Sequence, residues 1–175
     1  MNRSRVSELN RTRIGTLHPF VQLKVGEFLA TCEERLGIIC LVISGSRTFA
    51  EQMMLYAQGR YGPTKDGKKV TWSRYSWHCF GLACDYAPLK EKPSGEFVLD
   101  WMDEDYLIPA YVKCREIAAQ IGFGLLSLKR DKPHLQWTGG WTIRELLSAG
   151  YGKNLPISEI PLPKRMSGDR DETPT

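Results

Sequence analysis

With 175 residues and 42% hydrophobic content, the chain can build one core without help from disulfides or oligomerisation, and one domain is expected. Its five cysteines (Cys32, Cys40, Cys79, Cys84, Cys114) are an odd set with no C-x-x-C pair, which argues against a disulfide framework or a zinc ribbon and fits a reducing compartment. The net charge of +4 suits an anionic partner, a cell-wall polymer or nucleic acid, without choosing between them, and charge alone favours ordinary solubility.

The opening stretch, MNRSRVSELNRTRIG, is polar and basic with no apolar segment behind it, and the longest apolar run is Ile38 to Ile43. Neither a signal peptide nor a transmembrane helix is expected. Thr16 and Pro19 open a segment in which Val21, Val25, Phe28, Leu29, Cys32 and Leu36 recur at helical spacing, and Gly37 supplies the stop. Ile38 to Ser44 is too short for a helix and rich in β-branched residues, so it reads as a buried strand. Thr48 and Glu51 make a capping box for a short helix through Tyr56, closed by Gly59.

Residues 60–77 hold Gly62, Pro63, Gly67 and five basic side chains (Arg60, Lys65, Lys68, Lys69, Arg74) but no period, and read as a long loop. A solvated surface explains those charges most simply. Leu82 to Ala87 alternates, placing Leu82, Cys84 and Tyr86 on one strand face and Asp85 on the other. After a polar stretch from Pro88 to Glu104, Leu107, Tyr111, Cys114, Ala118 and Ile121 give a second long helix, expected to begin near Pro109 and to stop at Gly122. Pro133 to Trp137 reads as a last strand, and Thr142 with Glu145 caps a last helix closed by Gly150. From Pro156 the chain is proline-rich and charged, which predicts one domain over 1–155 and a disordered tail over 156–175. Helices and strands without regular βαβ alternation indicate an α+β fold.

Two of the three histidines lie in the segments SWHCFGLACDY (76–86) and DKPHLQW (131–137). A catalytic zinc needs three protein ligands and an open position for water, and His78, Asp85 and His134 form a sufficient set. His78 and Asp85 are seven apart and would face opposite ways on an unbroken strand, so a turn at Phe80-Gly81 must bring them together. Pro133 should mark a strand start, leaving Asp131 on the loop before it, beside the metal but not bound to it. His18, alone at a helix start, reads as structural, and Cys84 faces away from Asp85 into the core. Arg47 on these grounds is equally suited to anchoring the turn after its strand.

The chain resembles the zinc D-alanyl-D-alanine carboxypeptidases and L-alanyl-D-glutamate endopeptidases, a family that includes vancomycin-resistance carboxypeptidases and phage endolysins. The resemblance spans roughly residues 17–147 and rests on SGSRT (44–48), EQ (51–52), LYAQGR (55–60), VT (70–71) and the two histidine segments. It implies a small antiparallel sheet with helices packed on it, of the hedgehog and D-Ala-D-Ala peptidase type, with the zinc in a cleft at the sheet. It further implies His78, Asp85 and His134 as zinc ligands, Asp131 as catalytic acid or base, Arg47 as the oxyanion-stabilising arginine, and Ser76 and Gln52 as substrate-binding residues. The segment GFGLLSLKRDKPH is shorter than its family counterpart and lacks the tryptophans found there.

The function so implied is hydrolysis of the bacterial peptidoglycan stem peptide, foremost as an L-alanyl-D-glutamate endopeptidase. Removal of terminal D-alanine, or a zinc-containing wall-binding module without turnover, are the alternatives. With no signal peptide, a phage or prophage endolysin is expected, made in the host cytoplasm and reaching the wall through a holin-type pore. A monomer with no nucleic-acid partner and no stable membrane insertion completes the expectation.

Overall fold

In the computed structural model, residues 1–129, 131–152 and 154–164 are described. In chain order the elements are α1 (Arg3–Ile14), α2 (Pro19–Leu36), β1 (Cys40–Ser44), α3 (Phe49–Ala57), β2 (Ala83–Pro88), β3 (Lys90–Glu91), β4 (Phe97–Val98), α4 (Glu104–Ile121), β5 (Gly124–Leu125), β6 (His134–Gln136) and α5 (Ile143–Ala149). The fold is α+β. One antiparallel sheet runs in the order β1-β2-β6-β5, and β3 with β4 forms a separate hairpin.

Helix α2 follows its sequence signals closely. His18 caps it by accepting from the Phe20 N–H, Gly37 closes it in the left-handed region at φ 65, and Val21, Val25, Phe28 and Cys32 are buried. The other His18 nitrogen lies 2.9 Å from the Ile160 carbonyl, a structural role. Both expected capping boxes form, Thr48 with Glu51 and Thr142 with Glu145.

Helix α1 has no apolar period to announce it, and Val6 is its one buried residue. Polar side chains dock it instead. Asn10 accepts from the Val42 N–H at 2.8 Å and donates to the Cys40 carbonyl at 2.9 Å, while Arg13 donates to the Val42 carbonyl at 2.6 Å. These side chains stand where a further strand would pair with β1, so the sheet edge is covered rather than left open.

The sheet face carrying Cys84, Tyr86 and Leu135 packs under α2 and α4, with Phe28, Tyr111 and Cys114 among its buried partners. A smaller cluster of Val6, Ile39, Leu41, Leu89 and Phe97 joins α1 to the β3–β4 hairpin. That hairpin lies in the polar stretch, where two-residue strands leave no alternation to read.

Two boundaries differ from expectation. Helix α4 begins at Glu104, capped by Asp103, and runs through Pro109. Proline there removes a single intrahelical bond, while the burial of Leu107, Ala110 and Tyr111 on either side holds the first turns in place. The tail expected from Pro156 is also corrected over 156–164: Ile160 is 2% exposed, Trp141 Nε1 donates to the Pro161 carbonyl, and Lys164 pairs with Glu145. Single apolar anchors on an extended, proline-rich segment have no period, so sequence pattern cannot register them. Residues 165–175 of that expected tail lie outside the described residues.

Candidate metal centre

The site grows from strand register. In the β2–β6 ladder Asp85 stands directly opposite His134, so a carboxylate and an imidazole become cross-strand neighbours on one face. On β1, a register shift between Val42 and Ser44 sets Ser44 opposite Asp85 from the other side. His78 arrives from the turn before β2. Residues Trp77–Phe80 form a 3-10 turn capped by Ser76, and Gly81 reverses the chain at φ 64. A Cβ on Gly81 would lie 2.8 Å from the His18 backbone nitrogen and 2.8 Å from Ile157 Cδ1, so this bend tolerates glycine only.

His78, Asp85 and His134 thereby come together, with one donor atom from each lying within 4.8 Å of the others. His78 Nε2 is 3.5 Å and His134 Nδ1 3.4 Å from Asp85 Oδ1, and the two ring nitrogens are 3.3 Å apart. Both histidines are buried. Their remaining nitrogens are occupied: His78 Nδ1 sits 2.8 Å from the Gly45 carbonyl, and His134 Nε2 sits 3.1 Å from Gln136 Oε1. Outer partners of this kind fix ring orientation and tautomer, leaving His78 Nε2 and His134 Nδ1 free to face a cation. Two imidazoles and one carboxylate suit zinc among common metals.

Burial by itself raises the Asp85 pKa, but hydrogen bonds from His134 and His78, with their charges, outweigh it and hold the carboxyl well below the usual range. For His134, burial acts downward and is overcome by the Asp85 hydrogen bond and charge, so its pKa is raised. Asp131 stands outside the trio on the loop before β6, its N–H bonded to the Ser127 carbonyl at 3.0 Å. Burial, then the charge of Asp85 against the pull of His134, raises its pKa above the ordinary 3.8. Arg115 fastens the loop carrying it, donating to the carbonyls of Lys132 and Leu126.

Arg47 reaches the same centre. Its guanidinium lies 3.7 Å from Asp85 Oδ2, 3.4 Å from Ser44 Oγ and 3.3 Å from Gln52 Oε1, and its backbone N–H donates to the His78 carbonyl. The expectation that Gln52 binds substrate is corrected. Gln52 is 0% exposed, and its amide is committed to Arg47, to the Ser73 carbonyl at 2.8 Å and to Thr71 Oγ1 at 3.5 Å. It clamps Arg47 to the 60–77 loop and has no exposed atom to offer a ligand. Ser76 caps the His78 turn, with its hydroxyl accepting from the His78 N–H at 3.4 Å.

Two supports escaped the sequence reading. Gln136 lies two residues beyond His134 on one strand, so period-two spacing could have placed it beside that ring. The Gly45 carbonyl is backbone and carries no side-chain signal.

No family model matches the chain. It is 34% identical over 125 residues to the peptidoglycan L-alanyl-D-glutamate endopeptidase CwlK of Bacillus subtilis (strain 168), across 69% of this chain and 72% of that protein. Among solved structures, the Serratia marcescens L-Ala D-Glu endopeptidase ChiX aligns with a TM-score of 0.46 at 21% identity, covering 78% of this chain and 89% of that one.

Proposed function

Since the chain belongs to the peptidoglycan L-alanyl-D-glutamate endopeptidase family, we propose that it is a zinc-dependent hydrolase cutting the L-alanyl-D-glutamate bond of bacterial stem peptides. The observation that carries this reading is the convergence of His78, Asp85 and His134 beside Arg47. When bound, zinc supplies Lewis acidity, polarising a carbonyl and acidifying a water to a pKa of about 7. His78 Nε2, His134 Nδ1 and the Asp85 carboxylate would hold the ion, and the Gly45 carbonyl and Gln136 keep the rings aimed.

Asp131 takes a proton from the attacking water and returns it to the leaving amine. Its raised pKa makes it a stronger base than an exposed aspartate. Arg47, permanently charged and held on three sides, offsets the negative charge that develops on the scissile carbonyl oxygen. Ser76 orients His78 through the turn it caps and lines the substrate side of that turn.

The lytic setting we propose is that of a phage or prophage endolysin acting on the wall after passage through a separate holin-type pore. No helix among the described residues is long and apolar enough to cross a membrane, and the net charge of +4 favours approach to an anionic wall. Mass spectrometry of muropeptides after digestion of purified peptidoglycan tests the bond assignment. New D-glutamate amino termini are expected. Free D-alanine without solubilised wall would replace the endopeptidase by a carboxypeptidase, and unchanged muropeptides would leave only a wall-binding module.

A further inference from the structure

The core holds a second convergence of metal-binding groups, remote in chemistry from the histidines. Cys32 on α2, Cys40 at the start of β1 and Cys114 on α4 each send a thiol to one point between the sheet and its two covering helices. The Cys40 and Cys114 sulfurs are 3.8 Å apart, and all three sulfurs lie within 4.8 Å of one another. Sulfurs sharing one zinc at about 2.3 Å would stand roughly 3.8–4.0 Å apart, so closure on an ion needs shifts of less than about 1 Å.

A second observation points to the same place. The Tyr86 hydroxyl is buried with no hydrogen-bond partner among the described residues. Its ring packs on Phe28 and Tyr111, which precede Cys32 and Cys114 by about one turn on their helices. No sulfur accepts from the hydroxyl in this arrangement, so it is an unused buried donor beside the helical turns that lead to Cys32 and Cys114.

We propose that Cys32, Cys40 and Cys114 form a buried structural site for one thiophilic cation, zinc in the cell, distinct from the His78, Asp85 and His134 centre. Three soft donors with no carboxylate among them select such an ion over calcium or magnesium. On binding, three S–H bonds are replaced by three metal–sulfur bonds and up to three protons leave to solvent, with no change of oxidation state. The ion staples α2, β1 and α4, and so stiffens the strand that leads into Ser44 and Arg47. Because the three cysteines are at most 3% exposed, the ion enters as the chain folds.

The test is refolding of the full chain from denaturant under a thiol-free phosphine reductant with increasing Cd2+, read by the ultraviolet sulfur-to-metal charge-transfer band. The histidine centre contains no sulfur and is silent in that band, so its failure or success is read separately by peptidoglycan cleavage. One Cd2+ per chain is expected to saturate the band. The band should persist in a His78→Ala/His134→Ala variant and in Cys84→Ala, and should vanish in Cys40→Ala and in Cys114→Ala. A folded wild-type chain that shows no band at several equivalents of Cd2+ overturns the proposal, as does a band that survives both Cys40→Ala and Cys114→Ala.

Discussion

Replacing Gln52 with methionine separates holding Arg47 from merely filling space. The side chain is fully buried, so methionine of similar volume keeps the packing, but the acceptor for Arg47 and the donors to Ser73 and Thr71 disappear. Of the three hydrogen bonds only the one to Ser73, at 2.8 Å, is short, and Ser73 is exposed enough for water to replace the lost donor. The stability loss is therefore expected at about 1–2 kcal/mol. For a chain of this length that lowers Tm by about 2–8 °C. Arg47 keeps Ser44 and Asp85 but loses its third anchor. Complete loss of an oxyanion donor costs roughly 100- to 1000-fold in kcat, so loosening one should cost about tenfold. Turnover of a soluble stem peptide, fitted for kcat and KM, is the assay. A fall in kcat at nearly constant KM is expected, with Gln52→Glu, which retains an acceptor for Arg47, recovering most of it. A lowered Tm with unchanged kcat would refute the clamp and leave Gln52 a packing residue.

Asp131→Asn should lower kcat by roughly 100- to 10,000-fold while one zinc per histidine centre is retained, as metal analysis beside kinetics would establish. Gly81→Ala meets both a positive φ and contacts of 2.8 Å, so a loss of more than about 2 kcal/mol is expected in denaturant unfolding, with His78 displaced and activity gone. The pH dependence of stability should reverse with metal. In the stripped chain the raised His134 pKa contributes stability that is complete below 6.5 and is lost as pH rises through the folded value. The lowered Asp85 pKa contributes stability present above 3.8 and lost as pH falls through its folded value. The stripped protein should therefore lose Tm as the pH rises from 6.5 through the raised His134 value, whereas the zinc-loaded protein should gain it, since binding requires neutral imidazole. Parallel melting curves would contradict the assignment.

Much of the site was legible because its signals are local. The Thr48 and Thr142 capping boxes, the Gly37 and Gly122 stops and the alternation through Cys84 and Tyr86 each depend on residues within a few positions, and each appears where the pattern put it. The bend between His78 and Asp85 could be argued from a single glycine, and Gly81 supplies it. Illegible were the features fixed by distant partners. Helix α1 is held by Asn10 and Arg13 against the backbone of β1, and 156–164 by single contacts to His18, Trp141 and Glu145. Gln52 looked like a ligand-binding residue because a polar side chain in a motif suggests function, and only coordinates reveal that its amide is consumed inside the protein.

The most direct measurement is turnover of a synthetic stem peptide containing the L-alanyl-D-glutamate bond by chelator-stripped protein, before and after one equivalent of zinc. Stripped protein should be inactive and zinc should restore cleavage at that bond in the wild type but not in Asp85→Ala. Undiminished cleavage by the stripped chain, or equal restoration in Asp85→Ala, would contradict a catalytic cation held by His78, Asp85 and His134.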